Sequence, residues 1–230
     1  MANCKHVLCR PHEVCGQIVG DKKNPGGNIY TPGQLHTHKE HQLRGWPWFP
    51  GPLKKLAGSL NEGVVVEIGV FGGASLLSIV EACQKNNTII YGIDPWEKIN
   101  TGNGAEMSED KKKIYRSSIK KVRLNLENII KCEKYSTVKL MHDFSKNVVS
   151  QFADESIDIL LIDGDHSYDS VLEDLSLWWP KVKKGGTVWG DDFNLYSVRQ
   201  AAQDFCEQKK LIVTAHKGGR AWEVAKDTST

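Results

Sequence analysis

No stretch of this 230-residue chain strings together the roughly 20 apolar residues that a bilayer-spanning helix needs. Met1 to Cys15 also lacks the apolar core of a secretory leader, so a cytoplasmic setting is the expectation. Charge is nearly balanced, with a formal net of +2 and no long basic block. That excludes an electrostatic footprint of the size nucleic acid demands. Neither nucleic acid nor a membrane is expected as a partner. No C-x-x-C pair occurs among the six cysteines, although Cys4, Cys9 and Cys15 cluster with His6 and His12. Zinc-ligand spacing is therefore poor there, and a loosely packed arm is the expected state. Cys83, Cys132 and Cys206 fall in segments that read as helix and are expected as buried free thiols. Internal repeats and low-complexity tracts are absent, and a core of this size needs no disulfide to hold it.

Up to about residue 52 the chain is rich in Gly, Pro and His, as in Asn24-Pro25-Gly26-Gly27 and Trp46-Pro47-Trp48-Phe49-Pro50-Gly51-Pro52. Such punctuation marks turns. Thr31-Pro32 has the form of a helix start, and His36, His38 and His41 read as a solvated cluster. Residues 1–52 are thus expected to form an extension or substrate-covering arm, 53–226 a single domain and 227–230 a tail.

From Val64 the pattern changes. Apolar runs at Val64–Gly69, Thr88–Asp94, Thr137–His142, Ile157–Asp163 and Gly186–Asp191 read as strands. Helical segments at Ala74–Gln84, Asp110–Lys131, Val171–Trp179 and Ser197–Lys209 alternate with them. Two further strands follow at Leu211–His216 and Ala221–Val224. Alternation of this kind predicts an α/β fold, a Rossmann-like doubly wound sheet of seven strands, mostly parallel with one antiparallel strand, and helices on both faces. Ligands of such sheets bind outside the carboxyl ends of the strands. Asp94, Asp163 and the Asp191-Asp192 pair all fall at those ends, with His142-Asp143 closing the third strand.

The first strand runs into Glu67-Ile68-Gly69-Val70-Phe71-Gly72-Gly73-Ala74-Ser75. Glutamate stands where a dinucleotide fingerprint wants its first glycine, and a carboxylate beside the turn repels a pyrophosphate. A nicotinamide-dependent oxidoreductase is disfavoured on that ground. A ligand that carries positive charge suits the same turn. Asp94 is placed to accept hydrogen bonds from ribose hydroxyls, which points to adenosine without naming the cofactor.

EIGVFGGAS at 67–75, YGIDPW at 91–96, IDGDHSY at 162–168 and KKGGTVWGDDF at 183–193 together resemble the class I S-adenosylmethionine-dependent methyltransferases. Within them the chain is similar to the group of macrocin- and mycinamicin-type sugar O-methyltransferases and cephalosporin-hydroxylase-like proteins. It resembles catechol-type O-methyltransferases more distantly. By position, the resemblance implies Glu67 and Gly69 facing the methionine part of the cofactor and Gly72 and Gly73 allowing close approach. It places Ser75 on the cofactor carboxylate, Asp94 on the ribose, and Asp143 and Ser145 near adenine. The plain reading of Asp143 and Ser145 is a helix N-cap.

Three carboxylates, Asp163, Asp191 and Asp192, are expected to converge on a divalent metal, Mg2+ first, with Mn2+ or Ca2+ as substitutes. His166, three residues past Asp163, is the candidate catalytic base, with Asp163 and then Asp165 as alternatives. The expected reaction is methylation of a sugar hydroxyl on a glycan or glycosylated small molecule. A phenol-type acceptor and a non-catalytic cofactor-binding domain stand as alternatives. Seven tryptophans include Trp178, Trp179 and Trp222, expected in the core, and Trp46 and Trp48, which either anchor the arm or face a sugar. The polar stretch from Lys98 to Lys113 has the composition of a lid. Assembly as a homodimer is the expectation for oligomeric state.

Overall fold

A computed structural model describes residues 29–30, 43–44, 51–84, 86–97, 109–132 and 137–227. The Cys/His cluster of the first 15 residues, the helix start at Thr31, the three histidines at 36–41, Trp46, Trp48 and most of the 98–113 stretch lie outside them. So do the side chains of Cys132 and the tail from 228. The chain divides into two compact units.

The larger unit comprises 48–70, 78–95 and 137–230. Helix α1 (Gly51–Ser59) precedes strand β3 (Val64–Ile68), the end of helix α2 (Ala74–Ala82) and strand β4 (Ile89–Ile93). Strand β5 (Val138–Met141), the short helix α4 (Ser145–Val148), strand β6 (Ile157–Ile162) and helix α5 (Tyr168–Trp178) follow. Strand β7 (Val182–Gly190), helix α6 (Tyr196–Lys209), strand β8 (Val213–His216) and strand β9 (Ala221–Ala225) complete it. The smaller unit holds 1–47, 71–77 and 96–136, with a two-stranded antiparallel pair, β1 (Ile29–Tyr30) and β2 (Leu43–Arg44), and the long helix α3 (Glu109–Cys132).

Seven strands form one sheet in the order β5-β4-β3-β6-β7-β9-β8. All neighbours are parallel except around β9, which runs against both β7 and β8. The predicted sheet, seven-stranded with a single antiparallel strand, is the one observed. The chain winds outward from β3 to β5, then crosses back to β6 and winds the other way. The switch in direction therefore falls between β3 and β6, where a doubly wound sheet opens a crevice.

Both faces of this sheet are buried, and on one of them a core cluster packs against α5 and α6. Val66, Ile68, Leu160, Ile162, Val188, Trp222 and Val224 meet Val171, Leu175 and Trp178 of α5 and Val198, Ala201, Ala202 and Phe205 of α6. Trp178, Trp189 and Trp222 are fully buried and Trp179 nearly so. Helix α5 stops where Pro180 removes a donor. Helix α6 ends on Lys210 in the left-handed conformation (φ 57°), whose N–H returns to the Cys206 and Glu207 carbonyls. Cys83 and Cys206 are buried free thiols, and burial pushes both up to about 11. They are inert packing groups, since thiolate is suppressed.

Several elements differ from the sequence reading, the strand pair β1 and β2 among them. Helix α1 occupies a stretch with no assigned element, because Pro52 sits in a first helical turn, where its missing N–H costs nothing. Strand β7 begins at Val182, four residues before the expected Gly186. Its polar start, Lys183-Lys184-Gly185, is tied in by backbone bonds between Lys226 and both Gly185 and Gly186.

Candidate functional site

Backbone hydrogen bonds run across the carboxyl edge of the sheet one step past each strand. The Asp94 N–H donates to Met141 O (3.1 Å), Gly69 to Ile93 (2.9 Å), Asp163 to Ile68 (2.8 Å) and Asp191 to Ile162 (3.4 Å). Parallel pairing thus sets Asp94, Asp163 and Asp191 along one rim. At the switch point Gly69 has φ +88°, and a Cβ there would overlap the Asp163 carbonyl. Only glycine lets these two turns approach so closely. Non-glycine residues in the left-handed region follow three of the strands: Phe71 (φ 45°), Trp96 (φ 43°) and Asp192 (φ 56°). Such conformations cost of order 1–3 kcal/mol each and concentrate at functional sites.

The Asp94 carboxylate accepts the Val70 N–H at 3.0 Å, so this acid also braces the turn after β3. Glu67 is fully buried at the end of β3. In the smaller unit Gly73 has φ +80° and packs on Leu126, while the Trp96 indole N–H donates to Phe71 O at 2.8 Å. Ser75 is buried in the first turn of α2. Asp143 accepts from the Phe144 N–H and the Asn147 amide, both at 2.7 Å, and these bonds, Asn147 first, hold its carboxyl below the usual range. Neither bond caps α4, whose N-cap residue is Phe144 with no side-chain cap bond, so the N-cap expected of Asp143 and Ser145 is not formed. The Ser145 hydroxyl donates to Asp174 of α5 at 2.5 Å.

Beyond β6 and β7 lies the densest group of ionisable side chains. His166 Nε2 stands 3.1 Å from Asp192 Oδ2 and 3.7 Å from Asp163 Oδ1. Among the described residues, Asp163, His166 and Asp192 bring one ligand atom each within 4.8 Å of one another. Burial raises the Asp163 carboxyl to about 6, against the lowering effect of the nearby His166 imidazole. His166 is raised in turn, chiefly by the Asp163 carboxylate 3.7 Å away. Asp165 accepts the Ser167 N–H at 2.9 Å and shapes the loop into α5.

Asp191, the third expected ligand, is only 4% exposed. Its oxygens accept from Arg220: Nε at 2.9 and 3.1 Å, Nη2 at 2.9 Å. Burial raises the Asp191 carboxyl, and the Arg220 bonds oppose that rise. Sequence reading missed Arg220. The one available signal was a cation directly after the Gly218-Gly219 turn, entering the strand that pairs with β7.

A model of the methyltransferase domain matches residues 66–193, more than half of the chain and nearly all of this rim. The chain belongs to that family. This methyltransferase domain has the class I, S-adenosylmethionine-dependent form that its motifs resemble. A curated relative, the uncharacterised protein R132 of Acanthamoeba polyphaga mimivirus, is 30% identical over 168 residues, covering 72% of this chain and 67% of that protein. Among solved structures, the O-methyltransferase NovP has a TM-score of 0.52 at 19% identity, with 76% of each chain covered. A Corynebacterium glutamicum protein gives the same score and identity over 76% of this chain and 79% of its own. Both share the methyltransferase fold found here. No described helix is long and apolar enough to cross a membrane.

Proposed function

We propose that this methyltransferase is an O-methyltransferase that uses a divalent cation and takes as acceptor a sugar hydroxyl of a glycan or glycosylated small molecule. The observation that carries the reading is the convergence of Asp163, His166 and Asp192 at the carboxyl edge of β6 and β7. Two carboxylates suit a hard divalent cation such as Mg2+, Mn2+ or Ca2+, and leave the imidazole beside them unligated. Asp163 and Asp192 would hold the ion, with Asp191, the third expected ligand, carrying Arg220 on both oxygens. When bound, such an ion stabilises the developing alkoxide of an acceptor.

The chain's own residues supply the rest. His166 is the base for the acceptor hydroxyl. Asp163 and Asp192 beside it stabilise the imidazolium that proton removal creates. Asp94 and Glu67 provide acceptors for the hydroxyls and positive groups of S-adenosylmethionine, while Gly69, Gly72 and Gly73 keep the turn free of Cβ atoms. Ser75, Asp143 and Ser145 complete the expected cofactor contacts. Tyr196, 71% exposed at the start of α6, and half-exposed Leu195 offer an apolar face for a sugar ring. The neighbouring Ser197 hydroxyl donates to the His166 carbonyl at 2.6 Å, so this face and the base belong to one rigid corner.

The test is release of S-adenosylhomocysteine against a panel of glycosides and phenols, with and without chelator. Turnover on glycosides, lost in chelator and restored by Mg2+ or Mn2+, is the expected result. Full turnover in chelator would remove the cation, and turnover on phenols alone would move the acceptor class.

A further inference from the structure

The turn that carries Asp191 and Asp192 is held from three sides by the start of β9. The Arg220 guanidinium grips the Asp191 carboxylate through Nε and Nη2. The Arg220 carbonyl accepts the Phe193 N–H at 2.7 Å. The Trp222 indole N–H donates to the Asp191 carbonyl at 3.2 Å. Trp222 also lies so close to Gly190 that a Cβ there would overlap its ring. Backbone contacts alone would fix the path of this turn. The guanidinium adds something separate, because it acts on a carboxylate. Asp191 and Asp192 are adjacent, yet their carboxylates have different partners. Asp191 is buried against Arg220, while Asp192, in the left-handed conformation, reaches His166 at 3.1 Å and keeps only a 3.4 Å contact with Arg220 Nη2.

We propose that Arg220 is a positioning residue that pins Asp191 out of the cation site and leaves Asp192 as the acid of the pair that faces Asp163 and His166. The proposal rests on the cation-dependent reading above. It makes Arg220 a resident counter-charge that decides which of two adjacent acids serves the site. Bidentate geometry explains the residue type: a planar fork engages both carboxylate oxygens, which a lysine ammonium does not. Substituting Arg220 removes a positive charge beside the site and releases a buried carboxylate with no cation of its own. That carboxylate then turns to any divalent ion offered. Substituting Asp191 does the reverse and frees Arg220 to close on Asp192.

The test is a calorimetric titration of Mn2+ into the cofactor-free protein for wild type, Arg220→Gln, Asp191→Asn and the double variant, with Arg220→Lys as the conservative control. Arg220→Gln should bind Mn2+ about tenfold more tightly and Asp191→Asn more weakly, with the double variant back near wild type. Arg220→Lys should fall between wild type and Arg220→Gln. A double variant as weak as Asp191→Asn would make Asp191 itself a ligand and overturn the proposal. If wild type binds no Mn2+, the cation reading fails by itself. Thermal unfolding of wild type, Arg220→Gln, Asp191→Asn and the double variant then decides the pinning: each single variant should lower Tm, and the double should lower it no further than the worse single. Additive losses would show that Arg220 and Asp191 act independently and would also overturn the proposal.

Discussion

Asp174 is a carboxylic acid on the buried side of α5, only 6% exposed, and its replacement by asparagine should stabilise the protein at neutral pH. Its carboxyl accepts the Ser145 hydroxyl and sits beneath Gly164 in the loop that carries Asp163 and His166. Burial drives it from 3.8 to about 6, with Ser145 pulling the other way and Glu173 and Asp165 adding to the rise. The sign follows from proton linkage. Between 3.8 and about 6 the folded protein holds a proton that the unfolded chain has released, so stability falls as pH rises through that window. Above it both states are ionised and the whole cost is present. At 1.36 kcal/mol per pKa unit the cost reaches about 3 kcal/mol. Asparagine keeps an acceptor for Ser145 but must seat an NH2 near Gly164, so a net gain of about 2 kcal/mol is expected. Urea unfolding of wild type and Asp174→Asn from pH 3.5 to 8 reads this directly. The variant should trail wild type by about 1 kcal/mol at pH 3.5, cross it between pH 4 and 6, and lead by about 2 kcal/mol at pH 7. Profiles that stay parallel would refute the reasoning, since the buried carboxyl would then not be the group that titrates.

Gly69→Ala meets two penalties at once, a positive φ and an overlap with the Asp163 carbonyl, and should cost about 2–5 kcal/mol, read as a lower urea midpoint. Asp94→Ala should weaken S-adenosylhomocysteine binding by about 1.5–3 kcal/mol in calorimetry. It should also lower Tm because the Val70 N–H loses its acceptor. Asp94→Asn retains an acceptor for Val70 and should keep the Tm while still losing affinity, so equal affinity in all three proteins would take the ribose away from Asp94. His166→Ala should slow methyl transfer by about 10²–10⁴ with cofactor affinity unchanged. A normal rate would pass the base to Asp163 or Asp165.

The sheet was legible because parallel strands buried on both faces leave short, dense apolar runs, and four of the five such runs end in or beside acids. Strand β6 shows this best, with Ile157 to Ile162 almost wholly apolar and Asp163 next. The placement of Asp163, Asp191 and Asp192 followed from strand order. Their division of labour did not, because it depends on Arg220, which is remote in sequence and obeys no periodicity. Asp174 was hidden for a related reason: on a helix an acid reads as solvent-facing unless its partner, here Ser145, is known. Helix α1 escaped because Gly51-Pro52 reads as turn punctuation, whereas proline in a first helical turn is favourable.

Every ionisable member of the acid cluster, from Asp163 to Arg220, comes from one uninterrupted run of chain. Extended to 157–225, so that β6 and β9 are included, that run also supplies β7, β8, α5 and α6 with much of their mutual core. Joining it to β3 requires pairing residues such as Val65 and Ile159 across a long loop of sequence. Loops of that length close late and reopen early relative to local hairpins. In amide exchange, then, the antiparallel β7–β9 pair around Trp222 should behave as one cooperative unit and the β3–β4 pair bearing Asp94 as another. On that expectation the rim, continuous in the folded protein, would join two separately opening units where Gly69 meets Asp163.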